Sequence, residues 1–321
     1  MNAGTPINKM PPETHKVSLE WSRATTLDIG ASDDYRVTPV PRGKLASLRR
    51  ADGSVCEFFL KDRLVASEAI NGKVLGDLAA KLGLPFAPLL FVKAEMHPSA
   101  GPDDKNVVQI ATLKCSEDAA ELGDFRKTSP MGYRRAEAFL AQFKQSFSAS
   151  VAHLIWFGNV LDVSADNIIH MKEAQGIYFI DYSANSPLVA HPPYKEIAFN
   201  KKILREDARG GDSVMIYWKS AAIDPGRVAH IRNREVFDRA TFDQTMQAIQ
   251  ILPEGTIAEA VDKAKCGIVK LFERDGLPVN RTDVQLDDYC AKFTGVLLKR
   301  RNDIPVLANT ILGPRTYPLP S

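Results

Sequence analysis

Two short runs, residues 44–50 and 55–61, mix apolar and polar positions on either side of Ala51-Asp52-Gly53-Ser54. The central Asp-Gly favours a tight turn, so the runs predict an antiparallel hairpin. Pairing across that turn sets Arg50 opposite Val55, Ala46 opposite Phe59 and Lys44 opposite Lys61, and residues 36–61 begin a sheet. From Ser67 the period lengthens. Ile70, Val74, Leu75, Leu78 and Leu82 recur on one helical face, with Ser67 as N-cap and Gly83-Leu84-Pro85 as the stop. Gly72 and Gly76 weaken this helix but permit close approach of a neighbour. Apolar runs at 88–94 and 107–113, separated by a polar loop with Pro and Gly, predict further strands. The first 115 residues read as a small sheet carrying one helix.

From Tyr133 the pattern turns helical: Ala136, Phe139, Leu140 and Phe143 share a face, and a second apolar segment covers 151–160. Residues 167–181 interrupt it with a second hairpin. Helices follow over 237–251 and 256–272. A last one opens at the capping box Thr282-x-x-Gln285 and lines up Leu286, Tyr289, Cys290, Phe293 and Leu297. Residues 1–20 are rich in Pro, Thr and Asn without periodicity and read as a mobile arm. The pattern divides the chain into that arm, a β-rich part over 21–115, a mainly helical part over 116–310 and a tail over 311–321.

Composition narrows the function classes. With 41 Lys plus Arg against 39 Asp plus Glu in 321 residues, the net charge is +2, and 45% of residues are hydrophobic. Such a balance gives no global reason to bind nucleic acid or an anionic membrane, so any polyanion must be gripped locally. The basic cluster Lys299-Arg300-Arg301 reads as closing the last helix and complementing its dipole. Four widely spaced cysteines, Cys56, Cys115, Cys266 and Cys290, form neither a zinc-finger spacing nor a disulfide framework. Without a leader-like apolar region or a stretch of about 18 apolar residues, the expectation is a cytoplasmic protein.

The chemistry-bearing stretch is the second hairpin and its approach. If Lys172 to Gly176 closes a regular five-residue loop, Met171 faces Ile177, Ile169 faces Phe179 and Asn167 faces Asp181. An amide and a carboxylate then share the open end, with Asp162 and Asp166 in the turn just before. Clustered carboxylates repel unless a hard divalent cation joins them, which makes Asn167 and Asp181 candidate magnesium ligands. Magnesium keeps several waters and takes substrate phosphates, so a nucleotide would complete the shell. The first hairpin presents Lys44 and Lys61, whose opposed ammonium groups suit a polyphosphate. Glu68, in the first turn of the following helix, is placed to orient Lys61. His153 reads as a core or helix-face histidine, and His170 alternates within the hairpin.

Phe58-Phe-Leu-Lys61, Ser67-Glu68 through Leu-Ala-Ala-Lys-Leu-Gly-Leu-Pro85, Gly158-Asn-Val-Leu-Asp162 through Asn167, and Tyr178-Phe-Ile-Asp181 together resemble the HipA-like branch of the protein-kinase-like fold. The resemblance spans roughly residues 36–300, with only these segments specific. It implies a bilobal α+β fold, with a small β-rich N-lobe carrying one helix and a larger, mainly helical C-lobe. It implies an ATP- and Mg2+-dependent kinase acting on a Ser or Thr hydroxyl of a protein, of toxin-antitoxin type, with a small DNA-binding antitoxin-like partner. Lys61 would hold the α- and β-phosphates and Glu68 would position it; Asp162 would be the base, and Asn167 with Asp181 would hold magnesium.

The sequence departs from that pattern at four points. No G-x-G-x-x-G loop precedes the lysine; Pro41-Arg42-Gly43-Lys44 stands there, leaving Arg42, Lys44 and backbone N–H groups to hold phosphates. Ser164 occupies the position two after Asp162 where a basic residue is often seen, and Tyr182-Ser183 follows Asp181. Asp166 adds a charge beside Asn167, so the base is Asp162 or Asp166, with Asp162 favoured only by its spacing to Asn167. The alternatives are a catalytically silent binding module on the same fold and a lipid or small-molecule kinase.

Overall fold

The computed structural model describes residues 20–27, 35–40, 43–50, 53–96, 106–122, 138–157, 167–171, 176–182, 204–207, 211–214, 217–218, 229–230 and 238–312. The fold is α+β. Strands β1 (Tyr35–Val40), β2 (Gly43–Arg49), β3 (Val55–Val65), β4 (Leu89–Met96) and β5 (Asn106–Leu113) form an antiparallel sheet in the order β1-β2-β3-β5-β4.

The first hairpin forms where expected but one step out of the expected register. Arg49 pairs with Val55, Ala46 with Phe58 and Lys44 with Leu60. The ladder reaches Arg50, whose N–H donates to the Ser54 carbonyl at 2.7 Å, and Gly53 takes φ +84° to close the tip. A three-residue loop with glycine in the left-handed region thus replaces the tighter turn. A one-residue slip exchanges faces. Lys44 consequently shares the face of Leu60, while Lys61 shares that of its partner Ile110.

Helix α1 (Ala66–Lys81) follows β3 directly. Its N-cap residue is Val65, which has no capping side chain. Ser67, expected as the cap, lies inside the first turn. The predicted stop holds: Leu84 N–H reaches the Ala79 carbonyl at 2.9 Å and Gly83 N–H the Ala80 carbonyl at 3.1 Å, with Gly83 at φ +68°. This pair of bonds is the Schellman closure that glycine makes inexpensive.

A second sheet comprises β6 (Ala119–Glu121), β7 (Ile168–Met171) and β8 (Gly176–Phe179) in that order. Its hairpin is also one step from expectation. Ile168 pairs with Phe179 and Met171 with Gly176, leaving four residues rather than five between the strands. Asn167 therefore stands across from Ile180, whose N–H it accepts at 3.0 Å, and not from Asp181. Residues 85–87 stitch this hairpin to the first part of the chain, with Phe179 N–H donating to Pro85 O at 2.9 Å and Ala87 N–H to Phe179 O at 3.1 Å.

The helical portion contains α2 (Lys144–Val151), continued by a π-helix over Ala152–Phe157, then α3 (Arg239–Gln250), α4 (Glu254–Arg274) and α5 (Leu286–Leu312). Asp238 starts α3 by accepting the Thr241 N–H at 3.1 Å. Gln285, not Thr282, caps α5: its side-chain oxygen accepts the Asp288 N–H at 2.5 Å, while the Thr282 hydroxyl turns to the Val284 carbonyl. Helix α5 runs on to Leu312, so Lys299-Arg300-Arg301 lies within it and does not close it. Two short hairpins, β9 (Leu204–Asp207) with β10 (Gly211–Val214) and β11 (Tyr217–Trp218) with β12 (Ala229–His230), were not expected.

One buried cluster runs from the inner face of the five-stranded sheet through α1 and β8 to α3, α4 and α5, joining Ile70, Phe91, Ile110, Phe179, Phe242 and Phe293. A smaller one on the outer face joins Ala46, Phe58, Leu60 and Leu113. Residues 20–27 cover that outer cluster: Trp21 meets Phe58 edge-on at 5.3 Å between centroids and lies under Arg50 at 4.7 Å. This segment is tied to β4 through Leu27 N–H to Phe91 O at 2.8 Å. The arm expected over 1–20 otherwise lies outside the described residues. Among the described residues no helix is long and apolar enough to cross a membrane.

Candidate functional site

Lys61 sits where regular pairing of β3 breaks: the register shifts between Lys61 and Leu64. Its face is the one covered by α1 and β8, because it shares the side of Ile110 in the main core. There its ammonium forms an ion pair and hydrogen bond with the carboxylate of Asp181. The two side chains are 44% and 38% exposed, so solvent screens the pair and it contributes little to stability. Its interest lies in bringing together two residues 120 positions apart.

Asp181 is the one non-glycine residue at positive φ among the described residues, at +50°. Aspartate tolerates this region better than most side chains. Both neighbours fix the chain around it. Ile180 is bonded to Asn167, and Tyr182 is buried with its hydroxyl donating to the Ala87 carbonyl. Against helix α1 the Tyr182 ring lies so close to Gly76 that a Cβ there would stand 2.6 Å from the phenol oxygen. The close approach permitted by that glycine is made by the residue next to Asp181. Asn167 and Asp181 end adjacent strands one step out of direct opposition, and the left-handed turn at Asp181 departs from strand alternation.

Glu68 is half-buried in the first turn of α1. The ion pair of Lys61 goes to Asp181, not to Glu68. Burial raises the Glu68 carboxyl above its ordinary range; the Lys61 charge opposes the rise, and Asp283 and Asp181 add to it. Asp283, just before α5, accepts the Ser67 N–H at 3.1 Å and the Ser67 hydroxyl. Glu68 thus lies within electrostatic reach of Lys61, Asp181 and Asp283, while the ammonium of Lys61 contacts Asp181. Among the described residues no three His, Cys, Asp or Glu side chains converge as a ready metal cage. Asp181 and Asn167 carry the kind of oxygen donors, one carboxylate and one amide, that magnesium takes beside water and substrate oxygens.

Lys44 does not join Lys61. It lies on the outer face, and its ammonium pairs with Asp62 at 2.7 Å, the same carboxylate that Gln109 binds. Arg42, Asp162 and Asp166 lie outside the described residues. The segment leading to Asp162 is nevertheless anchored. The π-helix ends at Phe157, whose carbonyl accepts from Arg300 Nε at 3.0 Å, and His153 Nε2 bonds the Leu75 carbonyl of α1 at 2.9 Å. Single π-helical turns inside α-helices are frequent at functional sites. His153 is the core histidine expected; burial pushes it down to about 4, so its ring is neutral at pH 7. His170 is buried in β7 beside Phe139.

Sequence reasoning missed Asp283, Arg300 and the seat of Tyr182. All three act through contacts more than 90 residues away, for which local pattern carries no signal. A cavity of about 460 Å3 lies at the far end of α1, between Asp77 and Lys81 on that helix and Glu259 and Lys263 on α4. Neither Lys61 nor Asp181 lines it.

No protein-family model matches the chain, and no curated protein shows a significant match to it.

Proposed function

We propose that the chain is an ATP- and Mg2+-dependent phosphotransferase with a bilobal protein-kinase-like fold of the HipA-like type. It transfers the γ-phosphate to a Ser or Thr hydroxyl of a protein, itself among the acceptors, in the cytoplasm. The observation that carries this reading is the Lys61–Asp181 ion pair, which joins a sheet lysine to a carboxylate at the end of a separate hairpin. A lysine for phosphates beside a carboxylate for magnesium is what phosphoryl transfer needs, since its loose transition state asks the protein for positioning and charge neutralisation.

In this reading Lys61 meets the nucleotide phosphates, and Asp181 with Asn167 holds magnesium, which supplies charge neutralisation. Glu68 keeps Lys61 from swinging away. Asp162 orients the acceptor hydroxyl and takes its proton as the acceptor oxygen bonds to the γ-phosphorus and the bond to the β-phosphate oxygen breaks. A small DNA-binding antitoxin-like partner belongs to the same proposal through the family resemblance alone.

The pairing of Lys44 with Asp62 on the outer face favours a second reading, a silent binding module, because it leaves Arg42 as the remaining basic candidate for the phosphate loop. One experiment separates the two. Wild type, Lys61→Ala, Asp181→Asn and Asp162→Ala are incubated with γ-labelled ATP and magnesium, with folding checked by circular dichroism. The kinase reading expects label in protein from wild type and a loss of at least about 100-fold in each variant. Mg-ATP binding without transfer supports the silent module, and label in a lipid extract alone supports a lipid kinase. Absence of both binding and transfer ends the proposal.

A further inference from the structure

Helix α1 begins without a capping side chain of its own, yet its first turn carries Glu68 toward Lys61. The unsatisfied N–H groups of such a turn need a partner. Asp283 supplies one from 216 residues away, gripping both the backbone N–H and the hydroxyl of Ser67. A negative charge at this end also suits the helix dipole. One turn further on, the buried Tyr289 hydroxyl donates to Asn71 Oδ1 at 2.6 Å. The short segment from Asp283 to Tyr289 therefore holds both the first and second turns of α1 through side-chain hydrogen bonds.

The position of Glu68 follows from this grip. Ser67 and Glu68 are adjacent, so a shift of the Ser67 amide carries the Glu68 side chain with it. Loss of the Asp283 contact would free the turn that has no internal cap. We infer that Asp283 is a positioning residue of the Lys61–Asp181 site: from the segment that leads into α5 it fixes the first turn of α1 and thereby the distance from Glu68 to Lys61. The role assigned to that site rests on the phosphotransfer reading; the geometry does not. In this arrangement, movement of α5 relative to α1 changes the surroundings of Lys61 through the first turn of α1.

The test reads that distance directly. A carbodiimide joins a lysine amine to a nearby carboxylate as an amide, and mass spectrometry quantifies the Lys61–Glu68 product against the competing Lys61–Asp181 product in folded protein without nucleotide. Asp283→Ala is expected to lower its yield about tenfold, as for loss of a charge-assisted contact. Asp283→Asn keeps an acceptor for the Ser67 N–H and should stay within about twofold of wild type. Asp238→Ala, which removes the cap of α3 instead, should leave the yield unchanged while destabilising the protein. A wild-type yield in Asp283→Ala, an equal loss in the Asn variant, or an equal loss in Asp238→Ala overturns the inference. In a parallel arm, Asp283→Ala should weaken Mg-ATP binding about tenfold and the Asn variant should restore it. If wild type binds no Mg-ATP, the phosphotransfer reading fails, and the cross-link still decides the role of Asp283.

Discussion

Asp181 shows how one backbone angle can be imposed by its neighbours. Its φ of +50° costs energy for a residue with a Cβ, and it persists because Ile180 is tied into the hairpin and Tyr182 is locked under α1. The lock depends on Gly76. Gly76→Ala would push a methyl to 2.6 Å from the phenol oxygen and 3.0 Å from the ring, although alanine is the better helix former. The clash should dominate and cost about 1–3 kcal/mol in urea unfolding. Adding Tyr182→Phe removes the oxygen but not the ring contact, so the double variant should recover part of that loss. A Gly76→Ala protein as stable as wild type would show that Tyr182 is not seated against the helix. The sequence pointed to a close approach at Gly76 through glycine itself; it carried no sign of the partner.

At the scale of elements, amphipathic faces and stop signals were legible and registers were not. The α1 face with Ile70, Val74, Leu75 and Leu78 and its Gly83 closure follow from spacing alone. Both hairpins were placed correctly yet slipped by one residue: the first turn sequence is compatible with two- and three-residue tips, a difference that lies in hydrogen bonds such as Arg50 to Ser54, and the second connection is four residues long, not five. That slip matters for the site: it moves Lys44 to the outer face and Asn167 opposite Ile180. The capping box misled for a similar reason. Gln285 can cap a helix as readily as answer a cap at Thr282, and the Val284 carbonyl captured the threonine. Between elements, the His153 bond to Leu75 joins the π-helix to α1. Burial lowers the His153 pKa from 6.5 to about 4, so the folded state resists its protonation. Its contribution is complete above pH 6.5 and is lost as pH falls toward 4, a change of about 3 kcal/mol. Comparing wild type with His153→Gln by denaturant unfolding at pH 7 and pH 4 isolates it from the carboxylates, and the variant should lose about 3 kcal/mol less than wild type over that range.

At the scale of the molecule, the division of the chain near residue 115 is not a division of the core. Helix α4 lies beside α1 and β4, and the turn after it reaches the sheet edge: Arg274 donates to Val92 O at 2.6 Å and Asp275 accepts from Ala94 N–H at 2.7 Å. Asn106 adds a bond to Pro278 O at 2.9 Å. Residues 20–27 close the other side, where the wholly buried Lys73 donates to Ala24 O at 2.7 Å and pairs with Asp77. With one buried cluster crossing the chain division, circular dichroism and tryptophan fluorescence should report a single coincident unfolding transition. Two separated transitions would mean that the sheet and the helices hold themselves together independently. Little of this seam could be read in advance, since Arg274 and Asp275 look like an ordinary helix end until β4 is beside them.

The π-helix over Ala152–Phe157 has a consequence for length variation in this protein. A π turn closes i→i+5 bonds where an α turn closes i→i+4, so it accommodates a surplus residue within a helix. Deleting one residue between 152 and 157 would remove that surplus and let α-helical pairing run through, with the residues on either side keeping their present phase. The same deletion inside the regular turns of α2, Lys144–Val151, has no surplus to absorb it and would rotate one side of the helix against the other by about 100°. A single-codon loss is therefore far less damaging within 152–157 than within α2, because only there does the helix hold a residue it can give up without moving its neighbours.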